Sequence, residues 1–160
     1  MKCDKIIFSR KKLIEKIKNL KRKGRKIVFT NGCYDLLHIG HIRFLKSAKR
    51  CGDVLVVAIN SDSSVRKIKG DLRPIIPQKE RAEVLAALYF VDIVTIFYED
   101  NPYNIINDIK PDVLVKGGDW KIDKIIGADI VRNNGGIVKN IKYIKGESTT
   151  GIINKILKNY

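Results

Sequence analysis

Apolar and polar residues fall in blocks along this chain, and the spacing inside a block switches between that of an amphipathic helix and that of a buried strand. From Lys11 to Lys23 the apolar positions Leu13, Ile14, Ile17 and Leu20 recur at helical spacing, with Gly24 placed as a C-terminal cap. Ile27 to Thr30 is short, β-branched and aromatic, which predicts a first strand. Ile42, Leu45 and Ala48 then mark the inner stripe of a helix closing at Gly52-Asp53. Val54 to Ile59 is apolar without a break, as expected of a parallel strand covered on both faces.

Asn60-Ser61-Asp62-Ser63-Ser64 supplies cap-forming residues, and Val65 to Pro74 reads as a basic loop or short helix. Pro77 starts a helix with Ala82, Leu85 and Leu88 inward and Arg81 projecting nearby. Asp92 to Phe97 is a third strand, Asn101-Pro102 opens a short helix ended by Pro111, and Val113 to Val115 is a fourth strand. Lys116-Gly117-Gly118-Asp119-Trp120 is a glycine turn, followed by a helix from about Ile122 to Arg132 and a last strand from Ile137 to Ile144. Ser148-Thr149-Thr150 caps a closing helix with Ile152, Ile153, Ile156 and Leu157 on its inner side. Strands alternating with helices predict an α/β fold, a doubly wound parallel sheet, with no internal repeat or linker dividing it. Residues 1–24 add an amphipathic helix that packs on a single domain of residues 25–160.

Composition narrows the function classes. With 160 residues, 44% hydrophobic and 31% charged, the chain is globular rather than disordered and large enough to bury a core without staples. Its longest apolar runs are far too short to span a bilayer, and the first ten residues lack an apolar signal core, so a cytoplasmic protein without membrane partners is expected. Cys3, Cys33 and Cys51 show no paired spacing and fit reduced thiols. The net charge of +15 attracts nucleic acid and phosphorylated small molecules alike. The lysines are spread along the whole chain without an aromatic-interleaved stripe, which points away from nucleic acid.

The chemistry is concentrated after the first strand, in Thr30-Asn31-Gly32-Cys33-Tyr34-Asp35-Leu36-Leu37-His38-Ile39-Gly40-His41. A strand, a polar turn and a helix start bring backbone N–H groups and a positive helix end to the carboxyl edge of a sheet, where anions bind. Three further clusters follow other strands: Lys67 to Lys69, the Gly117 turn and Ser148 to Thr150. Loops at carboxyl ends share one edge in such sheets, so the four should converge on one crevice suited to a polyphosphate. A metal cage is not expected from the two histidines, which lack a second Cys or His pair.

Gly32-x-Tyr34-Asp35-x-x-His38-x-Gly40-His41 resembles the His-x-Gly-His signature of cytidylyltransferase-like nucleotidyltransferases, which are Rossmann-like. Together with Lys69-Gly70-Asp71-x-Arg73-Pro74, Leu114-Val115-Lys116-Gly117-Gly118-Asp119 and Ser148-Thr149-Thr150, the chain from Arg25 onward is similar to the heptose 1-phosphate adenylyltransferase branch of that family. That resemblance implies transfer of AMP from ATP to D-glycero-D-manno-heptose 1-phosphate, giving ADP-heptose and pyrophosphate for lipopolysaccharide core synthesis, with Mg2+ accompanying the triphosphate and a homodimer as the assembly. It makes His38, His41 and Lys69 catalytic, with Lys67 a weaker counterpart. Asn31, Gly32, Cys33, Tyr34, Gly40, His41, Lys116, Gly117, Asp119, Ser148, Thr149 and Thr150 would line the nucleotide, and Asp35, Lys69, Arg81 and Trp120 the acceptor. Tyr34 stands where the motif usually carries Phe. Tyr143-Ile144-Lys145-Gly146 replaces the Arg-Thr-Glu-Gly of glycerol-phosphate cytidylyltransferases, which favours the heptose branch. The alternatives are cytidylyl or guanylyl transfer to another sugar or polyol phosphate such as glycerol 3-phosphate, and a silent nucleic-acid-binding module.

Overall fold

The computed structural model describes residues 4–118, 120–141 and 148–159. The apolar runs become five strands, β1 (Ile27–Gly32), β2 (Val54–Asn60), β3 (Ile93–Phe97), β4 (Val113–Gly117) and β5 (Ile137–Ile141). They form one parallel sheet in the order β3-β2-β1-β4-β5, so β1 is central. Helices α1 (Arg10–Arg22), α2 (Ile39–Lys49), α3 (Asp62–Lys69), α4 (Gln78–Ala86), α5 (Tyr103–Ile109), α6 (Ala128–Asn133) and α7 (Thr149–Asn159) connect or flank the strands.

Alternating side chains divide the core into two layers. Ile27, Phe29, Val56 and Leu114 pack with Leu13 and Ile17 of α1, Ile105 and Ile106 of α5 and Val131 of α6. On the opposite face Val28, Leu55, Val57, Val113 and Val115 meet Leu45 and Ala48 of α2 and Ala82 and Leu85 of α4. All seven residues of β2 are buried, which is why its sequence shows no polar alternation. Residues before α1 guard the free edge of β3: Ile7 N donates to Val94 O at 2.9 Å and Val94 N to Lys5 O at 2.8 Å.

Two expectations change. The helix foreseen over Ile122 to Arg132 is split into a 3₁₀ turn at Ile122–Lys124 and α6. Gly127 causes the break: it sits at φ +84°, and a Cβ there would come within 2.7 Å of Ile106 Cδ1. Of the loop or short helix expected over Val65 to Pro74, the structure has the helix as far as Lys69, the end of α3. On α7 Ile152 and Ile153 are half-buried, but Ile156 and Leu157 are 50% and 76% exposed, because only the first turns of this helix lie against the domain. The last strand is seen to Ile141, and the rest of the predicted stretch lies outside the described residues. Among the described residues no helix is long and apolar enough to cross a membrane.

Candidate active site

Parallel pairing sets the ends of the central strands side by side: Gly32 is in register with Ile59, one residue before β2 ends at Asn60. The turn after β1 is therefore the middle of the carboxyl edge, and the other clusters are tied to it. Lys116, at the end of β4, points its amine at Asn31, with the carbonyl and side-chain oxygens both at 3.4 Å. Thr149, opening α7, donates its hydroxyl to the Asp35 carbonyl at 2.8 Å. Ser148 caps that helix by accepting the Gly151 N–H at 3.0 Å.

The turn itself is tightly constrained. Tyr34 and Leu36 adopt φ of 49° and 47°, left-handed values that cost free energy in residues other than glycine. Asp35, between them, holds the conformation in place. Its buried carboxylate accepts Arg73 Nε at 2.7 Å and the backbone N–H groups of Ile75 and Ile76 at 3.0 Å. Burial pushes this carboxyl up, but the two amides and the guanidinium outweigh it and hold it below the ordinary carboxylate range. Gly32 leaves room for the Tyr34 ring, since a Cβ there would sit 3.0 Å from Tyr34 Cε2.

His38 is the N-cap residue of α2, and His41 lies one turn further on. Their rings are 3.9 Å apart between centroids, and the Tyr34 ring is 5.3 Å from that of His41. Nδ1 of His41 accepts the His38 backbone N–H at 3.4 Å, so the neutral ring carries its proton on Nε2 and can donate it. Burial and the neighbouring His38 push the His41 pKa down to about 4, so the ring is neutral near pH 7.

The remaining expected site residues separate into two groups. Cys33 faces Asn60 Oδ1 at 4.0 Å; burial raises its pKa, against the opposing charges of Lys69, Arg81, Arg73 and Lys116. Lys69 is among the charges that lower the Cys33 pKa, whereas Lys67 is exposed and paired with Asp100 at 2.7 Å. Lys116 has its pKa lowered by burial. Trp120 is half exposed and lines a cavity of about 130 Å³ with Asn31, Pro102, Lys116, Lys124 and Ile125.

Asp35 and Arg81, expected at the acceptor, make their hydrogen bonds within the protein. Asp35 is committed to the 73–76 turn, and Arg81 is buried with four hydrogen bonds made inside the protein. Arg81 donates to the carbonyls of Ile76, Cys33 and Asn60 and to Asp62, so it knots the ends of β1 and β2 to α3 and α4. Asp119 lies outside the described residues. Arg73 and Asn60 were given no role from sequence. Arg73 stood in a quoted motif, but nothing local reveals that it folds back onto Asp35.

Two imidazoles tilted against each other at the start of the helix after the central strand, with lysine and hydroxyl groups brought in from β4 and α7, suit the polyphosphate of a nucleotidyltransferase. The sequence matches the cytidylyltransferase-like family over residues 29–155, and the chain belongs to that family. It is 52% identical over 155 residues to the bifunctional protein HldE of Geobacter metallireducens, covering 91% of this chain and 32% of that protein. With HldE of Campylobacter fetus it shares 51% identity over 157 residues, 98% of this chain and 33% of the other. The chain thus spans about a third of the length of these relatives. Among solved structures it is similar to the lipopolysaccharide core biosynthesis protein from Thermoplasma volcanium, with TM-score 0.64 and 31% identity over 78% of this chain and 100% of that one. Pantoate-beta-alanine ligase from Francisella tularensis shares the fold, with TM-score 0.63 at 19% identity over 96% of this chain and 77% of that one.

Proposed function

We propose that the enzyme transfers AMP from ATP to D-glycero-D-manno-heptose 1-phosphate. A phosphate oxygen of the sugar attacks the α-phosphorus, the bond from that phosphorus to the bridging oxygen breaks, and its electron pair leaves on pyrophosphate. The acceptor is already anionic near neutral pH, so no general base is required. The observation that carries this reading is the convergence on one turn of His41, Lys116 and the start of α7, all donors and none an evident nucleophile. The relatives at about half identity and the Thermoplasma protein support the choice of a heptose phosphate.

In this reading His41 offers its Nε2 proton to oxygens whose charge grows in the transition state, and Lys69 neutralises the phosphates. The cavity beside Trp120 takes the sugar, with the indole as a flat apolar wall and the Lys116 amine and Asn31 amide as polar contacts. Among the described residues no three His, Cys, Asp or Glu side chains gather as a metal cage. Mg2+ arriving with the triphosphate would require no such cage and would supply charge neutralisation at the phosphates.

The test is a pyrophosphate-release assay with ATP, CTP, GTP and UTP against heptose 1-phosphate and other sugar and polyol phosphates. Turnover should be fastest with ATP and heptose 1-phosphate. Preference for CTP or GTP would move the enzyme to another branch of the family, and no turnover with any pair would defeat the proposal.

A further inference from the structure

Three cationic side chains are tied to the turn after β1: Arg73 through Asp35, Arg81 through the Cys33 carbonyl and Lys116 through Asn31. Together with Lys69 they oppose the effect of burial on the Cys33 thiol. Arg81 is matched by Asp62 and Arg73 by Asp35. Lys69 and Lys116 have no carboxylate partner among the described residues. The spot therefore carries surplus positive charge, which a bound polyanion would balance.

Within this group Arg73 stands apart. Arg81 has spent its guanidinium on three carbonyls and a carboxylate. Arg73 uses only Nε, on Asp35 at 2.7 Å, and its two terminal nitrogens have no hydrogen-bond partner among the described residues although the side chain is only 16% exposed. A guanidinium held by one edge, with its fork left over, is arranged to take two phosphate oxygens at once. Asp35 also ties Arg73 to the start of α7, whose leading N–H groups favour the same anion. Its carbonyl holds the Thr149 hydroxyl at 2.8 Å, so Arg73 and the first turn of α7 are anchored to one residue. The Trp120 cavity is reached by way of Asn31 and Lys116 from β4 instead.

We propose that Arg73, seated on Asp35, is a phosphate ligand of this enzyme, gripping the two outer phosphates that depart as pyrophosphate. Asp35 is the positioning residue: it orients the guanidinium and ties it to α7. The proposal rests on the edge being a triphosphate site but not on the identity of the sugar.

Inorganic pyrophosphate and inorganic phosphate, each without nucleotide or sugar, are the probes, followed by calorimetry on the wild type, Arg73→Gln, Arg73→Lys and Asp35→Asn. Wild type should bind pyrophosphate more tightly than phosphate. Arg73→Gln should weaken pyrophosphate by roughly 10- to 100-fold, the range of a charge-assisted pair of contacts. Arg73→Lys, which keeps the charge but loses the fork, should fall between, and Asp35→Asn should approach Arg73→Gln. In turnover the loss should fall on ATP and leave KM for the sugar phosphate in place. Equal pyrophosphate binding in folded Arg73→Gln, no binding by the wild type, or a loss confined to the sugar phosphate would each overturn the proposal. If Arg73→Gln does not fold, wild-type affinity in Arg73→Lys overturns it instead. Failure of heptose 1-phosphate to turn over would remove the sugar assignment while leaving the pyrophosphate comparison to judge Arg73.

Discussion

Replacing Arg81 by Met tests whether the site is held up from below. The side chain is 1% exposed and donates to the carbonyls of Ile76, Cys33 and Asn60 and, at 2.8 Å, to Asp62. Methionine fills similar volume but supplies no donor, so three carbonyls and one carboxylate lose their partner together. Breaking a buried ion pair from one side costs about 3–5 kcal/mol, and an orphaned buried acceptor about 1–3 kcal/mol. These losses share one guanidinium and do not add; Asp62, with its side chain 27% exposed, also recovers some solvation. About 4 kcal/mol is the expected loss, which at a urea slope of about 2 kcal/mol/M moves the unfolding midpoint down by about 2 M. The assay is urea unfolding followed by far-ultraviolet circular dichroism, with the slope required to match that of the wild type. A loss below about 1 kcal/mol would refute the argument that this arginine joins β1 and β2 to α3 and α4. Arg81→Lys should recover part of the loss, since one amine can still face Asp62 but cannot reach three carbonyls.

Other expectations follow from the same geometry. His41→Ala should lower kcat by about 100- to 1000-fold while ATP affinity changes little, because its contact strengthens only as charge develops; a pure rise in KM would contradict this. The His41 pKa is depressed to about 4 from an unfolded value of 6.5, so between those pH values the unfolded chain binds more protons. Stability should therefore be fully present above pH 6.5 and be lost as pH falls toward 4, and urea midpoints that fall equally in His41→Gln would refute the assignment. Lys67→Ala removes an exposed pair with Asp100 and should change stability by no more than about 1 kcal/mol with kcat intact. Lys69→Ala should instead cut kcat at unchanged stability; steady-state kinetics on both variants separates the two lysines.

The frame of the molecule was legible because it rests on local patterns. The unbroken apolar run of β2 announces a strand buried on both faces. The polar turn and helix start after β1 announce an anion-suited turn at the carboxyl edge of the sheet, while the central place of β1 emerges only from the strand order. What escaped depends on distant partners. Asp35 reaches residues about 40 positions away, and no periodicity reveals that the 73–76 turn folds back to use up its carboxylate. Arg81 looked like a helix side chain on offer to a ligand because nothing local shows how many carbonyls surround it. Gly127 sits within a helix-compatible stretch, and only the neighbouring Ile106 explains why the helix must break there. The apolar stripe of α7 likewise shows which side is oily but not whether anything covers it.

The hydroxyl of Thr149 and the carbonyl of Asp35 are 114 positions apart in sequence. The five strands pair without α7, so this contact can close after them. A refolding chain can thus assemble its sheet and the early helices while the phosphate end of its cleft is still open. Recovery of turnover should lag behind recovery of the sheet signal, and the interval between them reports the moment when the last helix fastens onto the first turn.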